Sequence, residues 1–298
     1  MSTQPNVCIV GSINMDLTVT TDKMPMQGET VLGQDFFTNP GGKGANQAVA
    51  AARMGANVKF IGAVGDDPFG KTLLTNFTNE NIRTEGIEIV RDASTGTATI
   101  ILSENDNRII VASGANQSVT PDHVRKHRNL IITSDLVLLQ LEVPLETIVA
   151  TMEIAKANNV PVILNPAPYQ PLPEEILKAA AYLTPNEIEL ASMKASPLFT
   201  SIKDKLIVTR GDKGVSFAEH GIEREISGHS VQVIDTTGAG DTFNGALAAE
   251  LAGGTELADA VTAANAAAAI SVSKTGAQAG MPVKEDIQGF LHERNMSE

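Results

Sequence analysis

The chain has 298 residues and a formal net charge of −13, with 22 lysines and arginines against 35 aspartates and glutamates. This length accommodates one substantial core and a small appended domain, and the acidity argues against a nucleic-acid or anionic-membrane partner, since nothing would neutralise phosphates broadly. The single cysteine, Cys8, excludes an internal disulfide and fits a reducing compartment; with no signal-peptide pattern and no apolar run long enough for a bilayer, a cytoplasmic protein is expected.

Residues 7–10 form a short apolar strand ending at Gly11-Ser12-Ile13-Asn14-Met15-Asp16. Asn14 and Asp16 then stand where the C-terminal end of a parallel strand opens into a ligand crevice, and an amide beside a carboxylate suits vicinal hydroxyls. A polar turn accounts for them as well. Stretches 17–20 and 29–37 read as two extended pieces, punctuated by Pro25 and Gly28 and too exposed for a main sheet. Gly41-Gly42-Lys43-Gly44 leads into a helix over 45–54, closed by Gly55. Asn46 in its first turn can reach hydroxyls; Lys43 can steady anionic charge, with a solvated lysine as the default.

A strand follows over 58–64. The next segment, Gly65 to Thr72, satisfies the P-loop spacing Gly-x4-Gly-Lys-Thr, yet Pro68 has no N–H and Asp66 and Asp67 repel anions, so it reads as a structural turn. Residues 87–90 are extended; 97–102 and 109–112 flank Asn105-Asp106-Asn107 as a hairpin. Thr120-Pro121-Asp122 opens a helix with His123 and His127 one turn apart. Among Arg125, Lys126 and Arg128 that pair reads as a solvated face, not a metal site.

From residue 136 onward strands and helices alternate, the mark of a parallel α/β sheet. Strand ends at 136–141, 162–164 and 181–184 deliver Glu142, Asn165 and the pair Asn186 and Glu189 toward one crevice. Residues 195–201 read as loop. After a strand over 206–209, Thr209-Arg210-Gly211-Asp212-Lys213-Gly214 turns tightly into 215–218. An alternating run with Val231 and Val233 then precedes Asp235-Thr236-Thr237-Gly238-Ala239-Gly240-Asp241-Thr242, and the chain closes with an alanine-rich helix over 257–273. Gly238 and Gly240 let the backbone approach a ligand, and the first amides of the following helix lack internal partners, so the turn is a ready anion site. A carboxylate there, Asp241, fits a base facing the group that attacks a phosphate. Turn glycines and an ordinary helix-start aspartate explain the same residues.

The segment 235–246 resembles the C-terminal signature of the PfkB-type, ribokinase-like family of sugar kinases, and 41–50 resembles its N-terminal signature. The resemblance runs from about residue 7 to the last helix. It implies a single three-layer α/β/α domain over 1–298, built around a mainly parallel sheet, with 14–40 and 94–113 forming a small β-sheet lid through which a homodimer would pair. It implies ATP and magnesium as cofactors, potassium as activator, and transfer of the ATP γ-phosphate to the 5-hydroxyl of D-ribose. By resemblance Asn14, Asp16, Gly41, Gly42, Lys43, Asn46, Glu142 and Asp241 bind the sugar. The same resemblance assigns Asn186, Thr209, Arg210, Gly211, Asp212, Lys213, Gly214, Gly240, Asp241 and Asn265 to the nucleotide. Glu189 would hold magnesium through water, and Asp235, Thr237, Ser271, Lys274, Gly276 and Gly280 match a monovalent-cation loop. Between Asn186 and residue 206 the chain is shorter than the family pattern, which bears on stability or a subunit contact more than on chemistry.

Asp241 is then the proton acceptor, with the amides of Gly238, Ala239 and Gly240 stabilising the transferred group, and its pKa is expected to be depressed by the helix N-terminus. Asn14 favours a sugar that carries the 2-hydroxyl, since an unpaired buried amide disfavours the analogue lacking it. Kinases for 2-deoxyribose, other sugars or nucleosides, and a non-catalytic sugar or nucleotide sensor, are the alternatives. A dinucleotide oxidoreductase is excluded by the missing glycines after the first strand.

Overall fold

A computed structural model describes residues 4–103, 106–195, 199–219 and 221–296. The chain begins with β1 (Asn6–Val10), β2 (Asn14–Thr20), β3 (Phe36–Gly41), α1 (Lys43–Arg53), β4 (Asn57–Gly65), α2 (Pro68–Asn79) and β5 (Arg83–Val90). It continues through β6 (Gly96–Ser103), β7 (Asp106–Ala112), α3 (Pro121–Lys126), α4 (Arg128–Ile132), β8 (Leu136–Leu139), α5 (Leu145–Ala157), β9 (Val162–Leu164), α6 (Glu174–Ala179), β10 (Tyr182–Leu183), α7 (Glu187–Met193) and α8 (Phe199–Ile202). The last part holds β11 (Ile207–Thr209), β12 (Val215–Glu219), β13 (Ile222–Ile226), α9 (Ala239–Ala252), α10 (Leu257–Ser271) and α11 (Lys284–Asn295).

Six strands form one sheet in the order β10-β9-β8-β1-β4-β5, every pair parallel. Period-two alternation decides which helices cover which face. In β1, Val7 and Ile9 join the cluster built with α1, α9 and α10, while Cys8 and Val10 join the one built with α3 to α6. Both faces are thus covered, as a parallel sheet requires. Phe60 and Phe77 meet edge-on at 5.0 Å under α2, and burying each stabilises the fold by roughly 1.5–3 kcal/mol. Parallel bridges Leu183–Leu206 and Asn186–Thr209 carry the sheet onward to the β11-β12-β13 meander. The expected three-layer α/β/α architecture is present.

A second, four-stranded sheet has the order β3-β2-β6-β7; β2 and β6 run parallel and the outer pairs antiparallel. Asn14 and Asp16 lie on β2 of this small sheet, not at the end of a core strand as the sequence suggested. The chain leaves the core sheet at Val10 and crosses over within four residues.

Several local expectations change. Residues 29–35 are irregular and β3 begins only at Phe36. Residues 231–233 form no strand: Val233 is exposed, so its alternation reports a surface segment. The helix after Thr120 breaks into α3 and α4 at His127. His123 is buried, not solvated, with Nε2 2.9 Å from the Gly86 carbonyl. Within the segment read as loop, Phe199–Ile202 is helical, while 196–198 lie outside the described residues, as does Asn105 of the expected hairpin turn. At the P-loop look-alike, Asp67 Oδ1 accepts from Gly70 N at 2.8 Å and Oδ2 from Thr95 N at 2.7 Å, so that carboxylate caps α2 and pins the neighbouring loop.

The contact that positions the site is α1 on α9. A Cβ at Gly245 would come within 2.4 Å of the Gln47 carbonyl and 2.5 Å of Ala50 Cβ. Gly245, Ala48 and Ala51 therefore let the two helix backbones approach closely. Their first turns end up side by side.

Candidate active site

Asp241 sits in the first turn of α9, whose N-cap is Gly238 at φ 79° with no side-chain cap. Both that φ and the 2.7 Å between a Cβ there and the Ala277 carbonyl restrict the position to glycine. The Ala239 N–H is already taken by the Thr236 carbonyl at 3.2 Å. It is not the free anion donor the motif suggested. The remaining first-turn amides are the ones a helix leaves without an internal partner.

Asp241 is buried and receives one amide N–H on each oxygen: Asn46 Nδ2 on Oδ2 and Gln47 Nε2 on Oδ1, both at 3.0 Å. Burial drives its pKa upward, against the pull of Lys43, Gln47 and Asn46. The direction is opposite to the expected depression by the helix terminus, because desolvation of a largely buried carboxylate outweighs the dipole and its neighbours. A raised pKa makes Asp241 a stronger base when ionised.

On the small-sheet side, Lys43 is half-buried and its pKa is raised first by Asp241, then, against burial, by Glu142, Glu189 and Asp16. It is not fully solvated, and carboxylates from four segments of the chain favour its charged form. Glu142 Oε2 accepts from Ser12 Oγ at 2.6 Å and from Lys43 N at 3.1 Å. Asn14 is buried, and its Oδ1 accepts from Asn116 Nδ2 at 2.7 Å, which leaves its own NH2 as a donor. The Asp16 carboxylate folds against Gly41, where a Cβ would lie 2.2 Å from Oδ1. A Cβ at Gly42, whose φ is 90°, would reach within 2.7 Å of Asn14 N. Burial first, then Glu142 and Asp241, push Asp16 up to about 7. Asp16 lines a 640 Å³ cleft between the small sheet and the loops 233–237 and 275–277.

A second pocket, of 700 Å³, lies across the α9 N-terminus and is lined by Asn186, Thr209, Gly211, Asp212, Gly214, Gly240 and Asn265 among others. These are predicted nucleotide residues. Arg210 and Lys213 are not part of that lining: Arg210 Nη1 donates to Glu225 Oε1 at 2.8 Å, and Lys213 pairs with Glu187 at 3.5 Å. Asp241 lies behind Gly240 and is also absent from the lining. Asn265 Nδ2 donates to the Ser227 carbonyl at 2.9 Å, holding the pocket's far wall.

Asn186 and Glu189 cap α7 reciprocally, each side chain accepting the other's backbone N–H at 2.9 Å. One carboxylate oxygen of Glu189 and the Asn186 NH2 remain for a ligand, and burial raises the Glu189 pKa. Among the described residues no group of three or more acidic, histidine or cysteine side chains is gathered for a metal. The donor set therefore fits a magnesium ion that arrives on a nucleotide and touches the protein through water. Segments 234–237 and 271–280 are tied together: Ile234 N and Asp235 N donate to the Val272 carbonyl at 2.8 and 3.2 Å, and Gly276 N to Asp235 Oδ2 at 2.8 Å. Against its burial, the N–H groups of Gly276 and Thr237 keep Asp235 below the ordinary carboxylate range. Ser271 Oγ turns back onto the Ala268 carbonyl at 2.8 Å, and a Cβ at Gly280 would strike the Ser271 carbonyl at 2.0 Å.

Sequence reasoning missed the amides that hold this assembly. Gln278 Nε2 donates to Asn46 Oδ1 at 3.0 Å, and Gln140 Nε2 to Gln47 Oε1 at 2.6 Å. Asn165 accepts from Gln47 Nε2 at 3.1 Å, and Thr184 Oγ1 donates to Asn244 Oδ1 at 2.5 Å. The available signal was α1 itself: alanine on every side of Gln47 marks a helix buried all round, where any polar side chain needs a partner.

A buried carboxylate in the first turn of a helix, with one pocket across that helix N-terminus and a second cleft meeting it at Val233 and Thr236, suits phosphoryl transfer, and residues 4–284 match the pfkB family carbohydrate kinase pattern. The chain belongs to this family of carbohydrate kinases. It is 45% identical to the ribokinase of Bacillus subtilis (strain 168) over 290 residues, covering 96% of this chain and 99% of that one. The crystal structure of Thermotoga maritima ribokinase superimposes with TM-score 0.85 at 36% identity, over 97% of this chain and 99% of that one. Arabidopsis thaliana ribokinase complexed with ribose and ATP gives TM-score 0.89 at 30% identity over the same shares.

Proposed function

We propose that this protein is an ATP-dependent ribokinase, transferring the γ-phosphate of ATP to the 5-hydroxyl of D-ribose to give ribose 5-phosphate and ADP. The observation that carries this reading is the position of Asp241, held by Asn46 and Gln47 in the first turn of α9, next to the Gly240 that lines the pocket across that helix N-terminus. The Asp241 carboxylate takes the hydroxyl proton as the sugar oxygen bonds to phosphorus and the bond to the ADP oxygen breaks. The amides of the α9 first turn and Lys43 face the charge on the transferred group. Asn14, Asp16, Gly41, Gly42, Asn46 and Glu142 hold the sugar, and the buried amide of Asn14 favours a 2-hydroxyl over a 2-deoxy sugar. Thr209, Gly211, Asp212, Gly214 and Asn265 hold the nucleotide.

Magnesium supplies neutralisation of the phosphates when it is bound, with Glu189 as its water-mediated holder and Asn186 beside the nucleotide's phosphates. The 235–237 and 271–280 loops are assigned to potassium. Segments 14–40 and 94–113 act as a lid on a single 1–298 domain. Phe36 (65% exposed), Ile110 (68%), Ile109 and Val111 present apolar surface on the lid strands, which supports pairing with a second copy. No described helix is long and apolar enough to cross a membrane; the buried lone Cys8 suits a reducing compartment, and we assign the cytoplasm. The test is ADP formation with magnesium across pentoses, hexoses and nucleosides, with and without potassium. Ribose should be the preferred acceptor, and a panel with no sugar-dependent turnover refutes the reading.

A further inference from the structure

We propose that Gln47 is a positioning residue for phosphoryl transfer: its side-chain amide holds the Asp241 carboxylate ionised and turned toward the acceptor hydroxyl. The inference rests on the kinase reading above and assigns work within that site to a residue that touches neither ligand. Gln47 has no exposed surface, whereas Asp241 and Asn46 beside it keep some. Whatever it does for the reaction passes through its neighbours.

The geometry leaves its amide only one orientation. Asn165 Nδ2 donates to the Thr184 carbonyl at 2.9 Å, which turns Asn165 Oδ1 toward Gln47 as an acceptor. Asp241 Oδ1 is an acceptor too. Gln47 must therefore present its NH2 to both, at 3.1 and 3.0 Å, and its oxygen to Gln140 Nε2 at 2.6 Å. Gln140 in turn keeps its own Oε1 buried without a partner among the described residues. An aliphatic core would avoid that cost, since an unmet buried acceptor is destabilising. The arrangement sacrifices one acceptor so that a donor faces Asp241.

With Asn46 on Oδ2 and Gln47 on Oδ1, each carboxylate oxygen receives one N–H, and each keeps a further lone pair. The rotation of the carboxylate is fixed without blocking it. The charged groups facing Asp241 from other elements are Lys43 of α1, Glu142 after β8, Asp16 of β2 and Glu189 of α7. A substitution at Gln47 leaves all four in place, so a change in the pH profile reports on the lost donor.

The experiment is kcat against pH for the wild type, Gln47→Met and Gln47→Glu, with ribose affinity by calorimetry and folding by circular dichroism. Gln47→Met removes the donor at similar volume: kcat should fall by about ten- to a hundredfold. The acid limb should move up by about one pH unit, while ribose affinity stays within about threefold. Gln47→Glu keeps the shape but donates only when protonated, because two carboxyls sharing a site cannot both ionise. It should therefore add a loss of turnover on the alkaline side. A folded Gln47→Met with the wild-type acid limb overturns the proposal, as does Gln47→Glu with no alkaline loss. If Gln47→Met does not fold, the isosteric glutamate profile decides. A wild type without sugar-dependent turnover removes the kinase reading itself, and this role with it.

Discussion

Asn46 Nδ2 lies 3.0 Å from Asp241 Oδ2, joining the first turns of α1 and α9 across 195 residues of sequence. The same Asn46 accepts from Gln278 Nε2 through its oxygen, so one amide ties the carboxylate to the 271–280 loop as well. Asn46→Leu strands a buried donor and a buried carboxylate oxygen, costing about 1–3 kcal/mol apiece. Steady-state kinetics should show kcat down by at least about tenfold, and urea unfolding a lower midpoint with unchanged slope.

Gly41→Ala tests the sugar side separately. The added methyl meets the carboxylate of Asp16 first, so that side chain is displaced while the fold should survive. Ribose KM should rise by about tenfold or more, the worth of a hydrogen bond to a charged group, with the ATP KM within about twofold. Equal losses for both substrates would point to a disturbed α1 instead.

Asp16, pushed up to about 7 by burial and by Glu142 and Asp241, gives a pH dependence with a definite sign. The ionised form is the acceptor for a sugar hydroxyl, so ribose KM should fall as pH rises through about 7. Stability runs the other way. The native state holds a proton that the unfolded chain releases near the ordinary carboxylate value, so this contribution is complete below about pH 4 and is lost as pH rises through 7. Asp16→Asn should flatten that part of the Tm profile and raise Tm at pH 8 relative to the wild type. A ribose KM constant from pH 6 to 8 in the wild type would contradict the assignment.

The core sheet was legible because a parallel strand covered on both faces is a short unbroken apolar run, as in residues 7–10, 136–139 and 162–164. Segment 231–233 misled because alternation on an irregular surface loop has the same period as a half-buried strand, and 29–35 because the strand it leads into begins only at Phe36. His123 sits among charged neighbours in sequence, but it follows the face of Val124 and Ile131 that α3 and α4 turn inward. The glycines of 238–240 and Asp241 announced an anion site. What surrounds them came from elsewhere: the carboxylates around Lys43 arrive from β2, the end of β8, α7 and α9, and only the closed fold brings them together. The sign of the Asp241 pKa shift turned on the same point, since burial is set by α1 packing and not by the local motif.

The most direct test is Asp241→Asn, which preserves shape and removes the base. Phosphorylation of ribose should fall by at least about a thousandfold, while calorimetry still finds ribose and ATP bound. Turnover within tenfold of the wild type, at retained binding, would contradict the account.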